Sequence, residues 1–137
     1  LLASTRLCPH LPAQYAVQAA LSGVQSIDAL IAPTGRLHEQ RDAAWQGLES
    51  ISGVTCHRPE GALYAFPRLD PEVYEIHDDG KLVYDFLVAE HVLLVQGTGF
   101  NWTEPDHLRI VTLPRADDLA KAIGRLGTFL AAYRGAL

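Results

Sequence analysis

A single arginine sits in an apolar run that would not tolerate it unpaired. Arg109 lies inside VLLVQGTGFNWTEPDHLRIVTLP (residues 92–114), with Leu108 before it and Ile110, Val111 and Leu113 after it. A guanidinium carries five donors, and burying them among such neighbours is costly unless a carboxylate or several acceptors satisfy them. Two partners answer that requirement. One is a small molecule bearing a carboxylate; the other is an acid of the chain itself, Asp106 being nearest in sequence.

The remaining reactive residue types form no comparable setting. The two lysines, Lys81 and Lys121, fall on the polar faces of amphipathic patterns beside Asp79 and beside Asp117 and Asp118, which reads as solvated surface. Six histidines show no pair at i and i+4 and no HExxH, so a metal site is not expected. Cys8 and Cys56 are too far apart for a CxxC pair and do not suggest a disulfide framework. No serine stands in GxSxG. Gly97-Thr98-Gly99 could cradle a phosphate, but no helix N-terminus follows it, and a turn between strand and loop is the better reading.

Composition bounds the partners. Eleven basic and sixteen acidic residues, for a net charge of −5, are spread along 137 residues without a basic stripe, which argues against nucleic acid. No run approaches the roughly 20 apolar residues needed to span a bilayer, so a soluble chain without a membrane partner is expected. Cysteine usage fits a reducing cytoplasm.

The elements that must position Arg109 follow from periodicity. From Pro12, the residues Val17, Ala20, Leu21, Val24, Ile27 and Ile31 recur at three- and four-residue steps, predicting one helix that Gly23 weakens without ending. Pro33, Thr34 and Gly35 punctuate, and a second helix carries Leu37, Arg41, Ala44, Trp45 and Leu48 until Gly53 closes it. Residues 54–58 and 62–66 are short β-rich runs joined through Pro59, Glu60 and Gly61, which predicts a tight hairpin. Asp78 and Asp79 can cap a third helix bearing Leu82, Val83, Phe86, Leu87 and Val88. Strands at residues 92–95 and 108–113 follow, and a terminal helix begins at Asp117 and Asp118. This order predicts an α/β (α+β) domain with helices covering one side of a small sheet.

Four ordered phrases carry a resemblance along nearly the whole chain: RLCPHLPAQYAVQAAL (6–21), PTGRLHEQRDAAW (33–45), RPEGALYAFPRLD (58–70), and VLLVQGTGFNW with DHLRIVTLPRADD (92–118). Together they resemble the C-terminal part of class I/II aminotransferases, the pyridoxal-phosphate enzymes of fold type I, and most of all their bacterial alanine (glutamate–pyruvate) branch. A complete subunit of that family exceeds one domain, so the chain is expected to be a segment. The resemblance implies that residues 1–34 end the large domain and its linking helix, and that 35–137 form the C-terminal small domain.

The resemblance also implies roles. Arg109 matches the arginine that clamps the substrate α-carboxylate. Gly97 and Phe100 match the loop at the substrate entrance, with Gln96-Gly97 where many relatives have Pro-Gly, and Phe100 and Trp102 are candidates for the pocket wall. Tyr64, in GALYAF, either faces the cleft or packs in the core. Arg6 matches an arginine that in some relatives reaches across the dimer to a dicarboxylic substrate, and His10 replaces an asparagine common there. The cofactor, pyridoxal 5′-phosphate, needs a Schiff-base lysine. Neither lysine has the Ser-rich context of that residue, so it is expected upstream of Leu1, with no catalytic or cofactor-binding residue in this chain and the segment inactive alone. The implied reaction is a ping-pong amino transfer between an amino acid, best L-alanine, and a 2-oxo acid, 2-oxoglutarate or pyruvate, in a cytoplasmic homodimer. A carbon–sulfur lyase of the same fold and a non-catalytic interaction module are the alternatives.

Overall fold

The computed structural model describes residue 8 and residues 10–133. Helices α1 (Leu11–Ser22), α2 (Ser26–Ile31) and α3 (Arg36–Glu49) come first, followed by strands β1 (Val54–Thr55), β2 (Tyr64–Ala65) and β3 (Arg68–Leu69). Helix α4 (Asp79–Glu90), strand β4 (Val95–Gln96), a 3₁₀ turn (Gly97–Phe100), strand β5 (Leu108–Val111) and helix α5 (Ala116–Ala132) complete the chain.

Helix α5 buries Leu119, Ile123, Leu126 and Leu130, a stripe at steps of four, three and four residues, while Asp117 and Asp118 favour its positive N-terminal end. The stripe packs on α3, which offers the fully buried Ala44 and Leu48. Each large side chain buried this way stabilises the fold by roughly 1.5–3 kcal/mol. Helix α4 closes the core with Leu82, Val83 and Phe86, the last ring meeting Phe129 edge-on at 5.1 Å. Its N-cap is Asp78, whose side chain accepts from the Lys81 N–H at 2.9 Å. Asp79 does not share that role; it is buried on the inner face of α4.

Strand β5 is central, antiparallel to β4 through Val95↔Arg109 and Gln96↔Leu108 and to β2 through Tyr64↔Val111 and Ala65↔Ile110. Alternation puts Leu108 and Ile110 into the core with Ala65, and turns Arg109 and Val111 the other way, toward the face that carries Tyr64. Strands β1 and β3 form a separate two-stranded sheet, Val54↔Leu69 and Thr55↔Arg68, joined to β5's approach by an Arg68↔His107 bridge. The helices therefore pack over two small sheets and not one.

Two expectations from the sequence are corrected. The hairpin between residues 54–58 and 62–66 does not form, because β1 takes β3 and β2 takes β5. Between them the chain passes Pro59 and a left-handed Ala62 (φ 56°), and Pro67, lacking an N–H, separates β2 from β3 where the chain leaves one sheet for the other. The first helix is also broken: α1 ends at Ser22, Gly23 turns extended, and the Gln25 side chain donates to the Ala20 and Gly23 carbonyls. These carbonyls lie where a helix end leaves acceptors unpaired. Val17 and Leu21 of α1, Ile27 and Ile31 of α2, and Val24 between the two helices are exposed. No described helix is long and apolar enough to cross a membrane.

Candidate functional site

The outward face of the three-stranded sheet gathers three side chains from three elements. Arg109 rises from β5, Tyr64 from β2 and Phe100 from the end of the 3₁₀ turn. The guanidinium carbon lies 3.9 Å from the Phe100 ring centroid and 4.8 Å from that of Tyr64. Cation–π contact of this kind is worth about 0.5–2 kcal/mol, depending on how dry the pair is, and it fixes the plane of the guanidinium without using its hydrogen-bond donors. Tyr64 and Phe100 are each 46% exposed, so Tyr64 sides with the arginine and does not pack in the core.

What Arg109 lacks matters equally. Among the described residues it makes no ion pair, and its Nε is covered yet has no hydrogen-bond partner. The alternative of an Arg109–Asp106 pair is excluded, because Asp106 is taken up elsewhere. It accepts from Arg68 Nε at 2.9 Å, from Trp102 Nε1 at 2.9 Å and from the His107 ring at 2.7 Å. Burial raises the Asp106 pKa, but these bonds from His107, Arg68 and Trp102 outweigh it and bring the value down to about 2. Arg109 therefore stands as a half-buried cation, planar and held by two rings, with no counter-charge among those residues. An unpaired covered donor in a folded protein calls for an explanation, and a bound anion is the simplest one for a guanidinium.

Gly97 contributes by its missing side chain. Its N–H donates to the His107 carbonyl at 2.8 Å, and a Cβ on residue 97 would lie 2.8 Å from that same oxygen. The turn can lie against the residue two before Arg109 only because nothing projects from position 97. Trp102, 44% exposed, turns to His107 and Phe66 with centroids 4.3 and 5.7 Å away. Arg6 lies outside the described residues.

The lysines are poorly suited to bind a carbonyl compound covalently. Lys81 Nζ is 2.5 Å from Asp85 Oδ2, and that hydrogen bond pushes its pKa up, away from the neutral amine a nucleophile requires. Lys121 is exposed on α5. No group of three His, Cys, Asp or Glu residues that could hold a metal occurs among the described residues. Sequence reading missed Asp79, whose buried carboxylate reaches the 3₁₀ turn. The signal was available, since 79, 82, 83 and 86 share one helical face.

No protein-family model matches the chain. Known proteins do. Over 134 residues, 98% of the chain, it is 64% identical to the alanine aminotransferase of Mycobacterium tuberculosis (strain H37Rv), covering 31% of that protein. It is 56% identical over 97% of its length to the glutamate-pyruvate aminotransferase AlaA of Escherichia coli K12, covering 33% of it. Among solved structures, an aminotransferase from Escherichia coli superposes with a TM-score of 0.90 at 55% identity, over 98% of this chain and 33% of that one. Alanine aminotransferase from Pyrococcus furiosus gives 0.79 at 38% identity, over 96% and 32%. The chain thus spans about a third of the length of the relatives it matches. The resemblance to alanine aminotransferases read from the four phrases is borne out, and so is the mixed α/β fold.

Proposed function

We propose that this chain supplies the substrate-carboxylate site of an aminotransferase that moves an amino group from L-alanine to 2-oxoglutarate, giving pyruvate and L-glutamate. The observation that carries the reading is Arg109, a cation clamped between Phe100 and Tyr64 with no counter-charge among the described residues. A carboxylate is the anion common to every substrate and product of that reaction, and a planar guanidinium meets it through two parallel N–H···O bonds. Such a pair fixes both position and rotation, so the α-carbon of the bound amino acid is presented in one orientation. Phe100 and Tyr64 keep the guanidinium from turning. Gly97 lets the turn carrying Phe100 approach, and Arg6 is assigned to the same substrate from a neighbouring subunit of a homodimer.

Aminotransferase chemistry needs pyridoxal 5′-phosphate, which supplies the electron sink for breaking the bond to the α-hydrogen. The described residues do not fit that group: Lys81 is ion-paired and Lys121 lies on an exposed helix face. We assign the cofactor lysine and the phosphate-binding residues to the part of the relatives' length that this chain does not span. On the same reading residues 1–34 finish a large domain and its linking helix, 35–137 form the small domain, and the enzyme works in the cytoplasm without nucleic acid or membrane.

The test is steady-state kinetics on the protein that contains this chain, following pyruvate and glutamate together. Equimolar products support transamination. Arg109→Ala is expected to lower kcat/KM for L-alanine by a factor corresponding to about 2–5 kcal/mol, the range found when one member of a close charge pair is removed. An unchanged kcat/KM overturns the assignment of Arg109.

A further inference from the structure

We propose that Asp79 is a positioning residue for the carboxylate site, acting through Thr98 and Phe100 on Arg109. The proposal rests on the reading of Arg109 given above. Helix α4 begins with two aspartates that do different work: Asp78 caps the helix, whereas Asp79 is 3% exposed and sends both carboxylate oxygens to a single residue of the turn. Asp79 Oδ2 accepts from the Thr98 N–H at 2.9 Å and Oδ1 accepts from the Thr98 hydroxyl at 2.7 Å. A buried carboxylate holding two donors of one residue fixes that residue's backbone as well as its side chain.

Thr98 is the second residue of the four-residue turn that ends in Phe100. On one side the turn is held by the Gly97 N–H on the His107 carbonyl of the incoming β5 strand. On the other it is held by Asp79. Between these anchors the turn closes through the Asn101 N–H on the Thr98 carbonyl at 3.2 Å, with Asn101 in the left-handed region (φ 61°). Phe100 is nearly half exposed, so the position of its ring over the guanidinium depends on the backbone that carries it. Releasing Thr98 frees the ring to leave the Arg109 face, and the guanidinium then samples orientations that do not meet a carboxylate with two bonds.

An aspartate in the first turn of a helix also favours the helix dipole, so the experiment must separate positioning from stability. The probe is propionate, which has the carboxylate and carbon chain of alanine but no amine. In the protein containing this chain, the inhibition constant for propionate, kcat and KM for L-alanine, and the thermal midpoint are measured for Asp79→Asn and Thr98→Val. Each removes part of the pair of hydrogen bonds with little change of shape. Both are expected to raise the propionate constant and the alanine KM on the order of tenfold, with KM rising more than kcat falls. Thr98→Ser, which keeps the hydroxyl, should restore most of that loss. In a Phe100→Ala background, Asp79→Asn should add little to the propionate constant, because the ring through which it acts is gone.

Arg109→Lys separates the two claims. If Arg109→Lys leaves the propionate constant unchanged, the carboxylate reading falls and the proposal with it. If Arg109→Lys raises it while Asp79→Asn and Thr98→Val do not, Arg109 stands and the positioning role of Asp79 is overturned. That role is overturned as well if the Asp79 and Phe100 effects multiply independently, or if the thermal midpoint drops with no change in propionate binding.

Discussion

The close approach of the 3₁₀ turn to β5 makes Gly97→Ala the most informative single substitution. A methyl on residue 97 would meet the His107 carbonyl oxygen at 2.8 Å, the His107 Cβ at 2.9 Å and the His107 carbonyl carbon at 3.2 Å. Two of these atoms are backbone and the third is fixed directly to it, so no flexible side-chain end can swing away. Restoring ordinary contact requires the turn and the strand to part by about 0.5 Å, a repacking that typically costs 1–3 kcal/mol. The same movement stretches the 2.8 Å bond from the Gly97 N–H toward the limit for an N–H···O contact, adding about 0.5–1.5 kcal/mol. Partial relaxation shares these terms, and a net loss of about 2 kcal/mol is expected. For a chain of this size that lowers the melting midpoint by several degrees.

The assay is thermal and denaturant unfolding of Gly97→Ala beside Gly124→Ala. Gly124 lies within α5, where an added Cβ meets nothing within 4 Å, so alanine there should stabilise by about 0.5–1 kcal/mol through helix propensity alone. Opposite signs at the two glycines are the expected result. If Gly97→Ala is neutral or stabilising while Gly124→Ala behaves as stated, the turn does not lie against β5 as described, and Phe100 loses the backbone support that sets it over Arg109.

Two further outcomes follow from the same geometry. Asp106 has a folded pKa of about 2, below the ordinary carboxylate value, so its bonds to His107, Arg68 and Trp102 stabilise the fold fully above about pH 4 and progressively less as pH falls toward 2. The contribution is on the order of 1–2 kcal/mol once solvent screening at the half-exposed Arg68 is allowed for; it is read from urea midpoints across that window, and parallel acid losses in wild type and Asp106→Asn refute it. Asp78→Ala removes the cap on α4 and should cost about 1 kcal/mol in a urea titration, and a cost near zero there contradicts the capping bond at Lys81.

The contrast between Asp78 and Asp79 shows what a sequence discloses and what it withholds. Both are plausible caps when read as letters, and only the phase of the helix decides that one faces the end and the other the core. That phase was readable from Leu82, Val83 and Phe86, but the partner Thr98 was not, because it lies nineteen residues away in a turn without periodicity. Helices α3, α4 and α5 were legible because their apolar stripes extend over several turns. Strands of two residues carry almost no pattern, so the pairing of β1 with β3 and of β2 with β5 was hidden, and a proline-glycine connection suggested a hairpin that long-range pairing overrides. Arg109 was conspicuous from its neighbours alone, and Tyr64 and Phe100 were candidates only through the resemblance; that both rings flank the guanidinium follows from the register that sets Tyr64 beside β5 and from the turn that carries Phe100.

The position of β5 in its sheet also decides which parts of the site can respond to a ligand. Arg109 is backbone-paired opposite Val95 on one side, while β2 is paired with Ala65↔Ile110 and Tyr64↔Val111 on the other, so shifting the arginine's Cα means breaking ladders on both edges of a central strand. Leu108 and Ile110, buried on either side of it, oppose rotation of the strand as well. The Phe100 backbone meets no such ladder, since it belongs to a turn held at two points, and its ring is nearly half exposed. Adjustment to an incoming carboxylate must therefore fall to side chains and to the turn while the strand stays in place, and the residues that hold the turn, Gly97 and Asp79, set how far the Phe100 ring can go.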